Sequence, residues 1–302
     1  VCGAIVIKAD GTAVGYDDLA AAFAEAGNNN GCTLKLFSNY EPSKVIEVSG
    51  KFTIDLNGKQ CLNSKNIIIG KNATITLTGN SNSSIAKLKV AGGTVSADCS
   101  GAIYQITVED GKLNIYSGEV DSLHIEAGAD IALYGGFIND IFNNTGDTIL
   151  LRSLLADGYA FATKDDSGTL TVANKYDSTI SPFENIKLYV VEHKTCSYDK
   201  DNPTGACKEC GKPCEHDGDI NTDNGICSVC GAVVSVALYK DASGSLHFIK
   251  TTDELRNKLG DPNVNGTIKL FSDCSFDSDI GFSGKFTFDF NGHAVIMDSN
   301  IV

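Results

Sequence analysis

Tryptophan is absent from the 302-residue sequence, methionine occurs once, at Met297, and there are only two arginines, Arg152 and Arg256. No apolar run approaches the ~18 to 20 residues that a helix needs to cross a bilayer, so no membrane insertion is expected from this stretch. An initiator methionine is missing, and so is a basic head followed by an apolar run, which makes the sequence read as an internal fragment. The scarcity of arginine goes with an excess of acid: 38 acidic residues against 24 basic ones, for a formal net charge of -14. Such a surface repels phosphate backbones and anionic lipid, which argues against nucleic acid as a partner.

What is abundant is Gly, Asn, Thr, Ser and Asp around an apolar content of 42%. That palette suits many short strands and tight turns in a folded core, and the expectation is an all-β protein. A short strand recurs in which two apolar residues flank one outward position: TLKLF, FTIDLNG, ATITLTG, TVSAD, KLNIYSG, DIALYGG, TILLR and GTLTV. Their first inward residues are Leu34, Ile54, Ile75, Val95, Leu113, Ile131, Ile149 and Leu170, with steps of 20, 21, 20, 18, 18, 18 and 21. The second inward residues are Leu36, Leu56, Leu77, Ala97, Ile115, Leu133, Leu151 and Val172. A second series, VIEV, NIII, KLKV, QITV and LHIE, starts near 45, 66, 87, 105 and 122, between the members of the first.

Two strands per near-constant period are the mark of a solenoid, whose coils bury their apolar side only by stacking. An antiparallel sandwich has no reason to repeat at constant spacing. A left-handed solenoid usually shows a strict hexapeptide pattern, and its lack favours a right-handed parallel β-helix. The open end of the stack needs a cover. A helix near 17–26, with Asp17 as N-cap and Gly27 as its stop, supplies one, and LADGYAFATKDDSGTLTVAN reads as the closing turn at the other end.

The pattern starts again after residue 231. TIKLFSD repeats TLKLFSN, and SGKFTFDFNGH repeats SGKFTIDLNGK, both at an offset of 234, as from Leu34 to Ile268. The expected domains are a remnant at 1–4, a β-helix module at 5–190, a linker at 191–232 and the start of a second module at 233–302.

Six of the eleven cysteines lie between 196 and 230. Two half-copies can be read there at an offset of 20, each with a first ligand, ten residues, and then C-x-x-C-G. The expected ligand sets are His193, Cys196, Cys207 and Cys210, and Cys214, His216, Cys227 and Cys230. Three thiolates and one imidazole close a tetrahedral shell, so two structural zinc ions are expected, though a cross-braced sharing of the pairs fits the spacing too. Three disulfides would leave both histidines without a role. Units this small have no core of their own, so the metal would supply their folding free energy and make the linker stiff. At the N-terminus VCGA repeats Val229, Cys230, Gly231 and Ala232, so Cys2 reads as the last ligand of a preceding knuckle. The other cysteines, Cys32, Cys61, Cys99 and Cys274, read as free thiols.

Catalysis on such a scaffold needs clustered carboxylates on one outward face. The expected outward rows are Asp55, Thr76, Ser96, Asn114, Ala132 and Leu150, and Asn57, Thr78, Asp98, Tyr116, Tyr134 and Arg152, with no paired acids, so no enzyme is expected. Tyr116, Tyr134 and Arg152 fall at 18-residue steps and are the candidate binding surface, with a merely stiffening ladder as the other reading. His124 and Tyr104 read as ordinary surface residues.

VSGKFTIDLNGK, repeated as FSGKFTFDFNGH, together with tandem β-helix modules separated by C-x-x-C-G knuckles, resembles the large repetitive surface proteins of anaerobic Gram-positive gut bacteria. The resemblance implies a secreted or cell-surface location and a role as an adhesin or an immunoglobulin-binding superantigen. The partner expected from it is a host protein, an immunoglobulin or a mucin-type glycoprotein. A carbohydrate-binding or polysaccharide-degrading β-helix and a pure spacer are the alternatives.

Overall fold

The computed structural model describes residues 2–42, 44–61, 67–193, 195–198, 205–214, 220–277 and 280–297. Two compact units result, Val1–Thr195 with Glu209–Gly211, and Cys196–Lys208 with Lys212–Val302.

The first unit opens with β1 (Ala4–Ile7), β2 (Ala13–Tyr16) and helix α1 (Leu19–Gly27). The rungs begin with β3 (Thr33–Leu36), β4 (Ile46–Val48), β5 (Lys51–Asp55), β6 (Gln60–Cys61), β7 (Ile67–Ile69) and β8 (Thr74–Gly79). They continue through β9 (Ser84–Ile125), β10 (Ala129–Leu133) and β11 (Phe137–Asn143). The unit ends with β12 (Ile149–Leu150), a 3-10 turn (Leu151–Leu154), β13 (Tyr159–Lys164), β14 (Leu170–Val172), β15 (Thr179–Ile180) and β16 (Phe183–Glu192).

From β3 to β11 the pairing is parallel, which makes this unit a β-solenoid. Leu34 lies against Ile54, Ile75 against Val95, and Leu113 against Ile131, with the inward residues buried in one core. Strand β9 is long enough to form successive coils: its first half pairs with β6, β7 and β8, and its second half with β10 and β11. Ion pairs tie neighbouring coils outside the core, Lys35 to Asp55, Lys89 to Glu109 and Lys112 to Asp130.

Helix α1 closes the N-terminal end by burying Leu19, Ala22, Phe23 and Ala26, with Phe23 against Phe52. Its N-cap is Asp18, whose carboxylate accepts from Ala20 N–H at 3.1 Å, rather than Asp17. Gly27 does not end the helix by a left-handed turn; it is the last helical residue, and Asn28 caps it. Its role is close approach. Gly50 sits at φ +81°, and a Cβ there would lie 2.2 Å from the Gly27 carbonyl oxygen, so helix and coil touch backbone to backbone.

Two features of the expected ladder are corrected. The first is register: Phe52 pairs with Ile75 and Ile54 with Leu77, two residues off the expected match of Ile54 with Ile75. FTIDL offers three inward residues, Phe52, Ile54 and Leu56, and TITL only two. A slip of two keeps every apolar residue inside, so alternation alone cannot fix the match. The outward rows change with it, and Asp55 faces Thr78 rather than Thr76.

The second correction concerns the last two expected rungs. Leu133 bridges to Leu155, not Leu151, because the chain turns through the 3-10 segment, closed by Leu155 N–H to Arg152 O at 3.1 Å. Ile149 pairs antiparallel with Ile180. Leu170 and Val172 belong to the antiparallel hairpin of β13 and β14, and Leu170 is 45% exposed. That hairpin joins the sheet through β16, which lies antiparallel on β11 and so ends the parallel stack.

The second unit repeats the opening of the first. It contains β17 (Ala237–Asp241), β18 (Leu246–Ile249), α2 (Thr252–Gly260), β19 (Asn265–Leu270), β20 (Cys274–Phe276), β21 (Lys285–Asp289) and β22 (Val295–Met297). Ile268 lies against Phe288 as Leu34 lies against Ile54, and Cys274 against Val295 as Tyr40 against Cys61. The D-x-N-G turns correspond atom for atom. Asn57 and Asn291 sit at φ 50° and 48°, and their amides donate to Leu36 O at 2.8 Å and Leu270 O at 2.9 Å. Asn tolerates this left-handed backbone, and its side chain fastens one coil to the one before.

Candidate metal centres

Two short hairpins carry the cysteines, and they share a plan at an offset of 20. In one, Cys207 N–H donates to Lys212 O at 2.8 Å, and Ala206 bridges Pro213. In the other, Cys227 N–H donates to Ala232 O at 2.9 Å, and Ile226 bridges Val233. A left-handed glycine follows each C-x-x-C, Gly211 at φ +81° and Gly231 at φ +72°, which turns the chain back tightly enough to aim both thiols at one point.

The ligand atoms of His193, Cys196, Cys207 and Cys210 all lie within 4.8 Å of one another, as do those of Cys214, Cys227 and Cys230. The first grouping is one expected ligand set entire, and the second is three members of the other. His216, expected as the fourth ligand of the second, lies outside the described residues. Either cluster can hold a metal ion. The Cys214 and Cys227 sulfurs are 3.8 Å apart, whereas a disulfide would need about 2.05 Å. A tetrahedral ion with metal–sulfur bonds of about 2.3 Å has edges of about 3.8 Å, so the spacing is that of two ligands of one ion. His193 Nε2 also lies 3.6 Å from a Glu209 carboxylate oxygen, the kind of outer partner that orients a metal-bound imidazole. Cys207, Cys210, Cys214, Cys227 and Cys230 are buried. Tyr198 packs on the second cluster, and burial together with the nearby Cys196 sulfur raises its hydroxyl pKa.

None of the eleven cysteines is in a disulfide. Cys32, Cys61, Cys99 and Cys274 are core residues, and burial pushes the Cys61 thiol up to about 12. They are packing groups.

The candidate binding surface is brought together in part. The rings of Tyr116 and Tyr134 stack with centroids 4.6 Å apart and planes 15° from parallel. Arg152 is not their neighbour on the next rung, because the 3-10 turn carries it elsewhere: it pairs with Asp177 and lies over the Tyr176 ring at 4.7 Å. Tyr159 takes its place, meeting Tyr134 edge-on at 5.6 Å. Beside the stack, Asp98 accepts a hydrogen bond from Ser117 Oγ at 2.8 Å. The buried side chain of Asn114 donates to Ser96 Oγ at 3.5 Å.

A second aromatic ladder escaped sequence reasoning. His124 stacks on Phe142 at 4.3 Å and 3°, and Phe142 meets Phe183 at 4.8 Å. The step of 18 from His124 to Phe142 was legible, but Phe183 arrives on the antiparallel β16, outside the period. Burial lowers the His124 pKa, against a weaker opposing pull from Glu126.

Comparison with protein-family models, with curated proteins and with solved structures finds no match to this chain.

Proposed function

We propose that this chain is a non-catalytic module of a secreted or cell-surface protein that binds a host protein, an immunoglobulin or a mucin-type glycoprotein, or mediates adhesion. The observation that carries this reading is the stack of exposed Tyr116 on half-buried Tyr134, with half-buried Tyr159 at its edge, set on a solenoid face. Tyrosines present broad, stiff, amphipathic contact area at low entropic cost, which is why they concentrate at recognition surfaces. Asp98 and Asp130 at the margins of this face are bonded to Ser117 and Lys112, and such internal satisfaction suits a surface that recognises rather than reacts. Tandem display would let weak contacts add by avidity.

The metal role is structural in this reading, and zinc is the ion proposed. A Cys3His shell has no open position for a substrate or an activated water, and the thiolate-rich donor set is the one zinc favours.

Binding of the purified chain to immobilised immunoglobulin and to mucin, compared with a Tyr116→Ala/Tyr134→Ala variant, tests the proposal. Retention of either partner, lost by at least tenfold in the variant, is the expected result. Turnover of a polysaccharide by the purified protein would overturn the non-catalytic reading.

A further inference from the structure

Where the coils of the first unit turn a corner at Gly118 and Gly136, the chain carries no side chain, and close stacking is the reason. Both glycines have positive φ, +95° and +90°, and a Cβ on them would lie 2.0 Å from the Cys99 carbonyl oxygen and 2.7 Å from that of Gly118. Only glycine fits such a backbone. The bare corner is part of an open groove of about 450 Å³, a volume within the range of small-molecule sites.

One column of side chains lines this groove. Glu119 lies against Phe137 on the next coil, and Phe137 lies against Tyr189 on the antiparallel β16. The two rings are half-buried and meet at 4.6 Å with their planes 42° apart, a wedge rather than a closed stack. Ser100 adds a hydroxyl. From the hairpin of β13 and β14 comes Leu170, paired with Lys164, and it forms an apolar lip that is 45% exposed. The Lys164 ammonium lies over the Tyr189 ring, 5.5 Å from its centre. Glu119 and Ser100 are exposed, and their side chains make no hydrogen bond or ion pair among the described residues.

These groups select a ligand by its chemistry. The ring wedge and Leu170 favour apolar C–H surface, while the Glu119 carboxylate needs a hydrogen-bond donor. A cation on the same rings is opposed by the ammonium already over Tyr189, and an anion is opposed by Glu119. What remains is a neutral molecule that joins an apolar face to several hydroxyls, and a pyranose sugar is such a molecule. We propose that the groove is a binding site for a neutral mono- or disaccharide unit of a glycan, with the C–H face of the sugar on Phe137 and Tyr189, one hydroxyl donating to Glu119 and another bonded to Ser100. None of the lining residues belongs to the stack of Tyr116 and Tyr134. The groove is therefore a second site, beyond the host-protein contact proposed above.

Saturation-transfer NMR of the intact chain with the neutral O-glycans released from mucin tests this. The expected result is saturable binding with the strongest signal on sugar C–H protons, amide shifts at residues 118–119, 136–137 and 189–190, and no weakening as salt is raised, because the contact joins no ions. Glu119→Ala changes an exposed side chain and leaves the fold intact, and it should weaken binding at least tenfold by removing a charge-assisted hydrogen bond. No saturable signal, equal binding by the Glu119→Ala chain, or shifts confined to residues 116 and 134 would overturn the proposal. Binding that falls as salt rises would overturn it too, since it would mark an ionic ligand.

Discussion

The sulfur of Cys214 lies 3.8 Å from that of Cys227, although the two are 13 positions apart in the chain. That spacing equals the edge of a ligand tetrahedron that could close around one metal ion. Cys227→Ser is expected to lower bound metal by about one equivalent per chain, read by native mass spectrometry against about two for the parent. The hairpin has only a small cluster of apolar neighbours, so chelation should also loosen it while leaving the first unit's strands intact, as checked by amide exchange.

Register in the first unit is open to a double-mutant cycle. Phe52→Ala should cost about 3–5 kcal/mol and Ile75→Ala about 2–5 kcal/mol, since both side chains are buried. Direct partners couple by about 0.5–3 kcal/mol. The coupling of Phe52 with Ile75 should exceed that of Ile54 with Ile75, and the reverse order in urea unfolding would restore the register that alternation suggests.

Gly50→Ala places a methyl 2.2 Å from the Gly27 carbonyl oxygen at a backbone angle that alanine resists. A loss of more than about 1 kcal/mol is expected, because the backbone conformation alone disfavours the change and α1 must also move off the coil. Gly31→Ala is the control: its φ is also positive, at +79°, but no neighbour lies within reach of a Cβ. Thermal unfolding should show the larger drop for Gly50→Ala.

His124 makes stability depend on pH. Burial lowers its pKa in the folded chain, so the unfolded chain binds the proton more tightly. Its contribution is whole above about pH 6.5, the ordinary histidine value, and is lost as pH falls through that value toward the folded one. His124→Phe, which keeps a ring on Phe142, should narrow the gap between the unfolding midpoints at pH 8 and pH 5. An unchanged gap would place the acid sensitivity elsewhere.

The coils were legible because each must bury the same two positions, so Leu34, Val95, Leu113 and Ile131 announce themselves by spacing. Alternation carries direction but neither register nor strand sense. It therefore missed the slip of two at Phe52, and it admitted Ile149 and Leu170, whose strands alternate like the others but run antiparallel at the closing end. Arg152 was misplaced for the same reason: its 18-residue step assumes a rung where the chain turns instead. The cysteine clusters were readable because ligand spacing is local, with C-x-x-C-G dictating its own turn. Asp18 in place of Asp17 as the cap turns on one residue of backbone geometry that adjacent aspartates do not reveal.

The inter-coil hydrogen bonds of a parallel stack point along the stacking axis, and that decides how the solenoid bears a load. Tension along the axis meets one coil's bonds at a time rather than all of them together. From Ile75 to Val95 a coil takes 20 residues, and drawn straight at about 3.4 Å per residue they span roughly 70 Å. Folded, the same coil occupies about 4.8 Å of the axis. Each coil that peels away would lengthen the molecule more than tenfold over its stacked height, so a pulled solenoid yields in small steps and dissipates work at each.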